Sequence, residues 1–193
     1  MKKTVLSLVL LLSLFVTAQA QRRSSGSSRD WAVGLRLGDP AGLNVRKYFG
    51  NNALEVNLGS TGMFYGGASR SYTYRGYGGY RASGIALDVN YIGQKSIKGV
   101  QGLEWYWGLG GQLSSRRFYY TYNDDFYKKY GYNYHYGYYE NRVALGANAL
   151  LGLEWTIPST PISLFTDLGL HIEIVPTPFW VNAPLGLGGR FNF

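Results

Sequence analysis

Four residues near the end of the chain have the right types for acyl-transfer chemistry. His171 has Asp167 four positions before it and Glu173 two after, with Ser163 further upstream. A hydroxyl, an imidazole and a carboxylate are what a nucleophile, its base and the base's orienting group require. The spacing is even throughout, so on a β-strand all four point to one face. Whether they do chemistry therefore depends on what that face looks onto. No other catalytic signal competes with them: the chain has no phosphate-cradling glycine loop and no nucleophile motif, and His135 stands alone among tyrosines. The acidic pair Asp124-Asp125 lacks the oxygen-ligand spacing of a calcium loop, so neither a metal nor a cofactor is predicted.

The elements that carry these residues are strands. From Trp31 onward the hydrophobic pattern holds period two, broken at turn-like clusters, and eight strands are predicted. They cover about Trp31–Gly38, Gly42–Phe49, Ala53–Gly62, Ala82–Ile92, Gly102–Leu113, Asn141–Ile157, Ile162–Val175 and Ala183–Phe193. One face is apolar throughout, as in Leu35, Val45, Leu87, Leu109, Leu151 and Leu187. The other holds glycines and charged residues: Arg36, Arg46, Arg190, Glu55, Asp88, Glu104, Glu154, Asp167 and Glu173. A narrow lumen needs small residues between large polar ones, and lipid needs continuous apolar cover. The apolar face is therefore read as lipid-facing and the charged face as a lumen. Charges enclosed there must pair. Arg46 and Arg190 are expected near Glu55, Glu104 and Glu154, and Asp167 and Glu173 are better read as partners of lumen arginines than as catalytic groups.

The ends of the strands agree with this reading. Short connections alternate with long ones, Met63–Arg81 and Ser114–Glu140, which places short turns at one membrane face and long loops at the other. Trp31, Phe49, Tyr91, Trp105, Trp155 and Phe193 all fall at the short-turn ends with lipid-facing parity, a predicted aromatic girdle at the periplasmic interface. Residues 1–20 carry Lys2 and Lys3, an apolar run from Val5 to Val16, and Ala18-Gln19-Ala20, the pattern of a secretory signal peptide. A polar lead-in at residues 21–30 precedes the barrel at residues 31–193. The chain has no cysteine, which excludes a disulfide scaffold, and a formal charge of +8. An exported protein meets no nucleic acid, so acidic glycolipid is the expected partner of the excess charge.

The pattern resembles the small eight-stranded outer-membrane barrels of the OmpX and OmpA-transmembrane-domain type, over essentially the whole of residues 31–193. The resemblance implies an all-β, antiparallel, up-and-down transmembrane barrel with periplasmic termini and extracellular loops. It also implies that the closing strand, with Leu185, Leu187, Phe191 and the terminal Phe193, addresses the barrel-assembly machinery. Some barrels of this size modify lipid A, which gives Ser163 and His171 their one catalytic alternative; a narrow pore for small solutes or ions is another. Eight strands are normally filled by their own side chains, so a structural lumen is preferred.

Surface interaction is the remaining reading. Of 18 tyrosines only Tyr48, Tyr91 and Tyr106 lie outside the two long loop regions. Tyr119, Tyr120, Tyr122, Tyr130, Tyr132, Tyr134 and Tyr136 offer contact area at low entropic cost for a glycan or protein ligand. Arg116 and Arg117 are placed to meet lipopolysaccharide phosphates. The alternative for this segment is a tyrosine-rich β-ribbon without a partner.

Overall fold

A computed structural model of the protein describes residues 30–61, 80–81, 84–123, 135–176 and 178–193. The signal segment and the centres of both long loops lie outside the described residues. The strands are β1 (Trp31–Gly38), β2 (Ala41–Phe49), β3 (Asn52–Thr61), β4 (Tyr80–Arg81), β5 (Gly84–Ser96), β6 (Leu103–Asn123), β7 (His135–Thr156), β8 (Ile162–Val175), β9 (Trp180–Asn182) and β10 (Leu185–Asn192).

These ten segments make eight barrel strands. β4 and β5 both pair with β6 and form one interrupted strand. β9 and β10 pair with β8 in one continuous register, parted only at Ala183-Pro184, where Gly169 N still donates to Pro184 O. Proline has no N–H to give the ladder, so the break falls there. Every neighbouring pair is antiparallel, and β1 pairs with β10, closing the sheet on itself. Closure removes the open edges that lipid would leave without hydrogen bonds.

The register sets the barrel's shape. Ala32 pairs with Arg46, and the ladder continues through Glu55, Asn90, Gly110, Asn148 and His171 to Asn182. Across the closing seam, however, Ala32 pairs with Asn192, so one circuit is staggered by ten residues. With a rise of about 3.3 Å per residue and a strand spacing of about 4.8 Å, that stagger tilts the strands by about 40°.

Alternation decides which face is which. Leu35, Leu151 and Leu168 are 66%, 58% and 54% exposed on the outer surface, while the polar residues beside them are enclosed. Trp31 and Phe193, the two-residue turn after Phe49, and the connections 97–102 and 157–161 share one rim, the terminal rim. At that turn Gly50 takes a positive φ of 64°, open to glycine without strain. The opposite, far rim carries the long connections.

There the sequence-predicted boundaries change. Strands were expected to end at Leu113 and resume at Asn141. Instead β6 and β7 run on as a paired ribbon to Asn123 and His135, joining Tyr119 to Tyr139, Tyr120 to Tyr138 and Tyr122 to Tyr136. From Ser115 to Asn123 the ribbon rises roughly 26 Å at strand rise. Arg116 lies opposite Arg142 and Arg117 opposite Asn141 within it. Tyr130, Tyr132 and Tyr134 lie outside the described residues.

Candidate functional site: the charged lumen

The centre of the lumen is a closed ring of alternating charge. Arg46 on β2 donates from Nε and Nη2 to Glu55 Oε2 on β3, at 2.9 and 2.5 Å, and from Nη1 to Glu154 Oε2 on β7 at 2.6 Å. Arg190, on the closing strand β10, donates from Nη2 to the same Glu55 oxygen at 2.6 Å and from Nη1 to the same Glu154 oxygen at 2.8 Å. Each guanidinium thus bridges both carboxylates, and each carboxylate is shared by both guanidiniums. All four side chains are shut from solvent.

Neutral groups complete the ring. Tyr48 Oη donates to Glu154 Oε1 at 2.9 Å, and Asn57 Nδ2 donates to Glu55 Oε1 at 3.2 Å. Arg190 Nε donates to Asn44 Oδ1, whose own Nδ2 donates to Asn57 Oδ1. The Arg46 guanidinium lies 4.6 Å from the centre of the Tyr106 ring, and that of Arg190 lies 3.7 Å from the Phe165 ring. Guanidinium planes suit both tasks, bidentate donation and stacking. Buried charges survive only when every lone pair and proton is used in this way.

A second pair lies toward the far rim. Arg36 on β1 grips Asp167 on β8 bidentately, at 2.5 and 2.7 Å, and Tyr106 Oη donates to Asp167 Oδ2 at 3.1 Å. A Cβ added at Gly186 would strike the Arg36 guanidinium, and one at Gly152 would strike the Tyr106 ring. Glycine is dense on this face because the large polar side chains occupy its space.

Other residues are placed differently from the sequence expectation. Glu104 does face inward opposite Glu154, but it sits near the terminal rim and accepts from Gln94 Nε2 at 3.2 Å and Ser96 Oγ at 3.3 Å. The oxygens of the central ring come from Glu55 and Glu154. Glu173 is buried near the far rim, where Phe179 N donates to its backbone carbonyl at 3.0 Å. Asp88 is also buried.

The four residues with acyl-transfer chemistry are not brought together. Ser163 Oγ accepts from Asn192 Nδ2 at 2.7 Å and lies 2.9 Å from Thr156 Oγ1, close to the terminal rim. His171 is eight residues further along β8, roughly 26 Å at strand rise. Its Nδ1 lies 2.6 Å from Asn148 Oδ1, and its ring meets Trp180 at 6.4 Å. Asp167, the acid between them, is held by Arg36 and Tyr106.

At the terminal rim the aromatic residues form contacts of their own. Phe49 and Tyr91 lie 6.1 Å apart, and Tyr91 and Trp107 6.3 Å. The Lys47 ammonium sits 5.1 Å from the Trp31 ring. Trp31, Phe49, Tyr91, Trp105, Trp155 and Phe193 are each about two-fifths exposed on the outer face, and Trp107 is a further such residue beyond the sequence set. The sequence set also lacked Tyr48 and Phe165, whose lumen parity was the available signal.

No family model matches the chain, and no curated protein matches it in sequence. Solved structures do. The N-terminal β-barrel domain of Pseudomonas aeruginosa OprF matches with a TM-score of 0.56 at 14% identity, over 84% of this chain and 96% of that one. Neisserial surface protein A (NspA) matches with a TM-score of 0.45 at 11% identity, over 84% of this chain and 94% of that one. Closed by β1 and β10, apolar outside and ion-paired within, the chain has the fold of the small eight-stranded outer-membrane β-barrels.

Proposed function

We propose that this protein is a non-catalytic integral barrel of the outer membrane that serves envelope structure and surface interaction. The observation that carries this reading is the inverted burial. Leucines cover the outside, and the arginines and glutamates are enclosed, which only a lipid surround makes favourable. The terminal rim is periplasmic, by the rule that short turns face that side, and the far rim is extracellular. Residues 1–20 direct export. Outer-membrane lipid covers the belt, and Arg116 and Arg117 meet lipopolysaccharide phosphate. The tyrosine-rich ribbon offers a surface for glycan or protein, and the strand ending in Phe193 is read by the assembly machinery.

Two alternatives are disfavoured by specific geometry. The Arg46–Glu55–Arg190–Glu154 ring crosses the lumen and argues for a plug over a narrow pore. The separation of Ser163 from His171 argues against acyl transfer.

Gel mobility of the outer-membrane fraction, heated and unheated, before and after protease treatment of intact cells, tests the proposal. The expected result is a heat-modifiable band trimmed only within residues 114–140. A soluble periplasmic protein without a mobility shift would overturn it.

A further inference from the structure

Beyond the Arg36–Asp167 pair, toward the far rim, the lumen widens into a small cavity with room for a water molecule or an ion of that size. Among the described residues its lining carries one guanidinium, Arg36, and three carboxylates, Asp39, Asp88 and Asp167. Arg36 directs Nη1 and Nη2 to Asp167, so that pair is neutral and both groups are spent there.

Two neighbouring oxygens look for a positive partner. Asp88 and Asn90 stand on the lumen face of β5, with exposures of 5% and 1%. Among the described residues Asp88 Oδ1 and Asn90 Oδ1 are both buried without a hydrogen-bond partner, and both residues line the cavity. Gln112, across the ladder on β6, hydrogen-bonds the Asp88 carboxylate. Asn57, across the other ladder, directs its amide to Glu55 and Asn44. A buried ionised carboxylate oxygen without a donor is strongly unfavourable unless it takes up a proton or a cation meets it. The donor set is all oxygen, which suits sodium or calcium and not a soft metal.

We propose that this cavity binds one small hard cation through Asp88 Oδ1 and Asn90 Oδ1. The cation offsets the Asp88 charge as Arg46 and Arg190 offset those of Glu55 and Glu154. The site needs no enzymatic role and is independent of what the tyrosine ribbon contacts.

Equilibrium dialysis of the full chain, folded in detergent, against radiolabelled sodium or calcium tests this, with potassium, magnesium and N-methylglucammonium as competitors. Expected is one ion per barrel, bound at least tenfold more weakly by Asp88→Asn while the compact heat-modifiable band persists. Equal binding by wild type and Asp88→Asn places the ion elsewhere and overturns the proposal, as does no binding at all. If Asp88→Asn fails to fold, Asn90→Asp decides. A second carboxylate at the site should tighten calcium at least tenfold, and unchanged affinity would overturn the proposal.

Discussion

Arg46 illustrates how one residue holds several strands at once. Its guanidinium ties β2 to β3 through Glu55 and, across the lumen, to β7 through Glu154. Arg46→Ala removes one of two cations from a buried ring and leaves Glu55 and Glu154 sharing Arg190 alone. The expected loss is about 3–5 kcal/mol in urea-induced unfolding from lipid vesicles. Removing Glu55 as well, as Arg46→Ala with Glu55→Gln, should lose less than the sum of the two single changes, because the orphaned charge is gone. On the outer face the logic inverts. Leu151→Arg exposes a charge to lipid and should lose up to about 4 kcal/mol in the same assay. Parity alone assigned Arg46 and Leu151 to their faces in the sequence. It grouped Arg46 and Arg190 with Glu55, Glu104 and Glu154 but could not say which carboxylates meet the guanidiniums: Arg46 and Glu55 are ladder neighbours, whereas Arg46 and Glu154 meet across the lumen and share neither spacing nor ladder. Glu104 was accordingly grouped with Glu55 and Glu154, although its carboxylate bonds to Gln94 and Ser96. The unpartnered oxygen of Asp88 was invisible for the same reason.

Among the elements, β1, β2 and β3 were legible almost residue by residue, because each crosses lipid and alternates between leucine or valine and a polar side chain. β6 and β7 were legible only over that same span. Beyond Ser115 and Val143 the contrast between apolar and polar positions fades into tyrosine, glycine and arginine, so the pattern left the segment open between a loop and a β-ribbon, and the ribbon is what forms. β9 escaped for a different reason: Trp180–Asn182 lies before the strand expected from Ala183 and is parted from it by Pro184, although both continue one register against β8. The ribbon adds ladder pairs outside the closed wall and contributes nothing to the ring around Arg46 and Arg190. Deleting residues 118–140 joins Arg117 to Asn141, which already face each other across the ladder. The shortened chain should keep its heat-modifiable band and its urea midpoint. A midpoint that falls as far as for Arg46→Ala would show the ribbon to be part of the barrel's stability.

For the whole molecule, eight strands staggered by ten residues enclose a bore that Tyr48, Tyr106, Phe165 and the charged ring fill with their side chains. Planar-bilayer recording of purified protein should therefore show no steady conductance; a regular open level would contradict a filled bore. The seam between β1 and β10 has a consequence of another kind. Trp31 N donates to Phe193 O at 3.0 Å, and Phe193 N to Trp31 O at 2.8 Å, so the first and last strand residues clasp each other. No partial chain can make that clasp. A chain that lacks β10 leaves the outer edge of β1 with nothing to bond, and hydrocarbon excludes such an edge. Closure therefore hangs on the contact most distant in the sequence, a kind that is slow to nucleate.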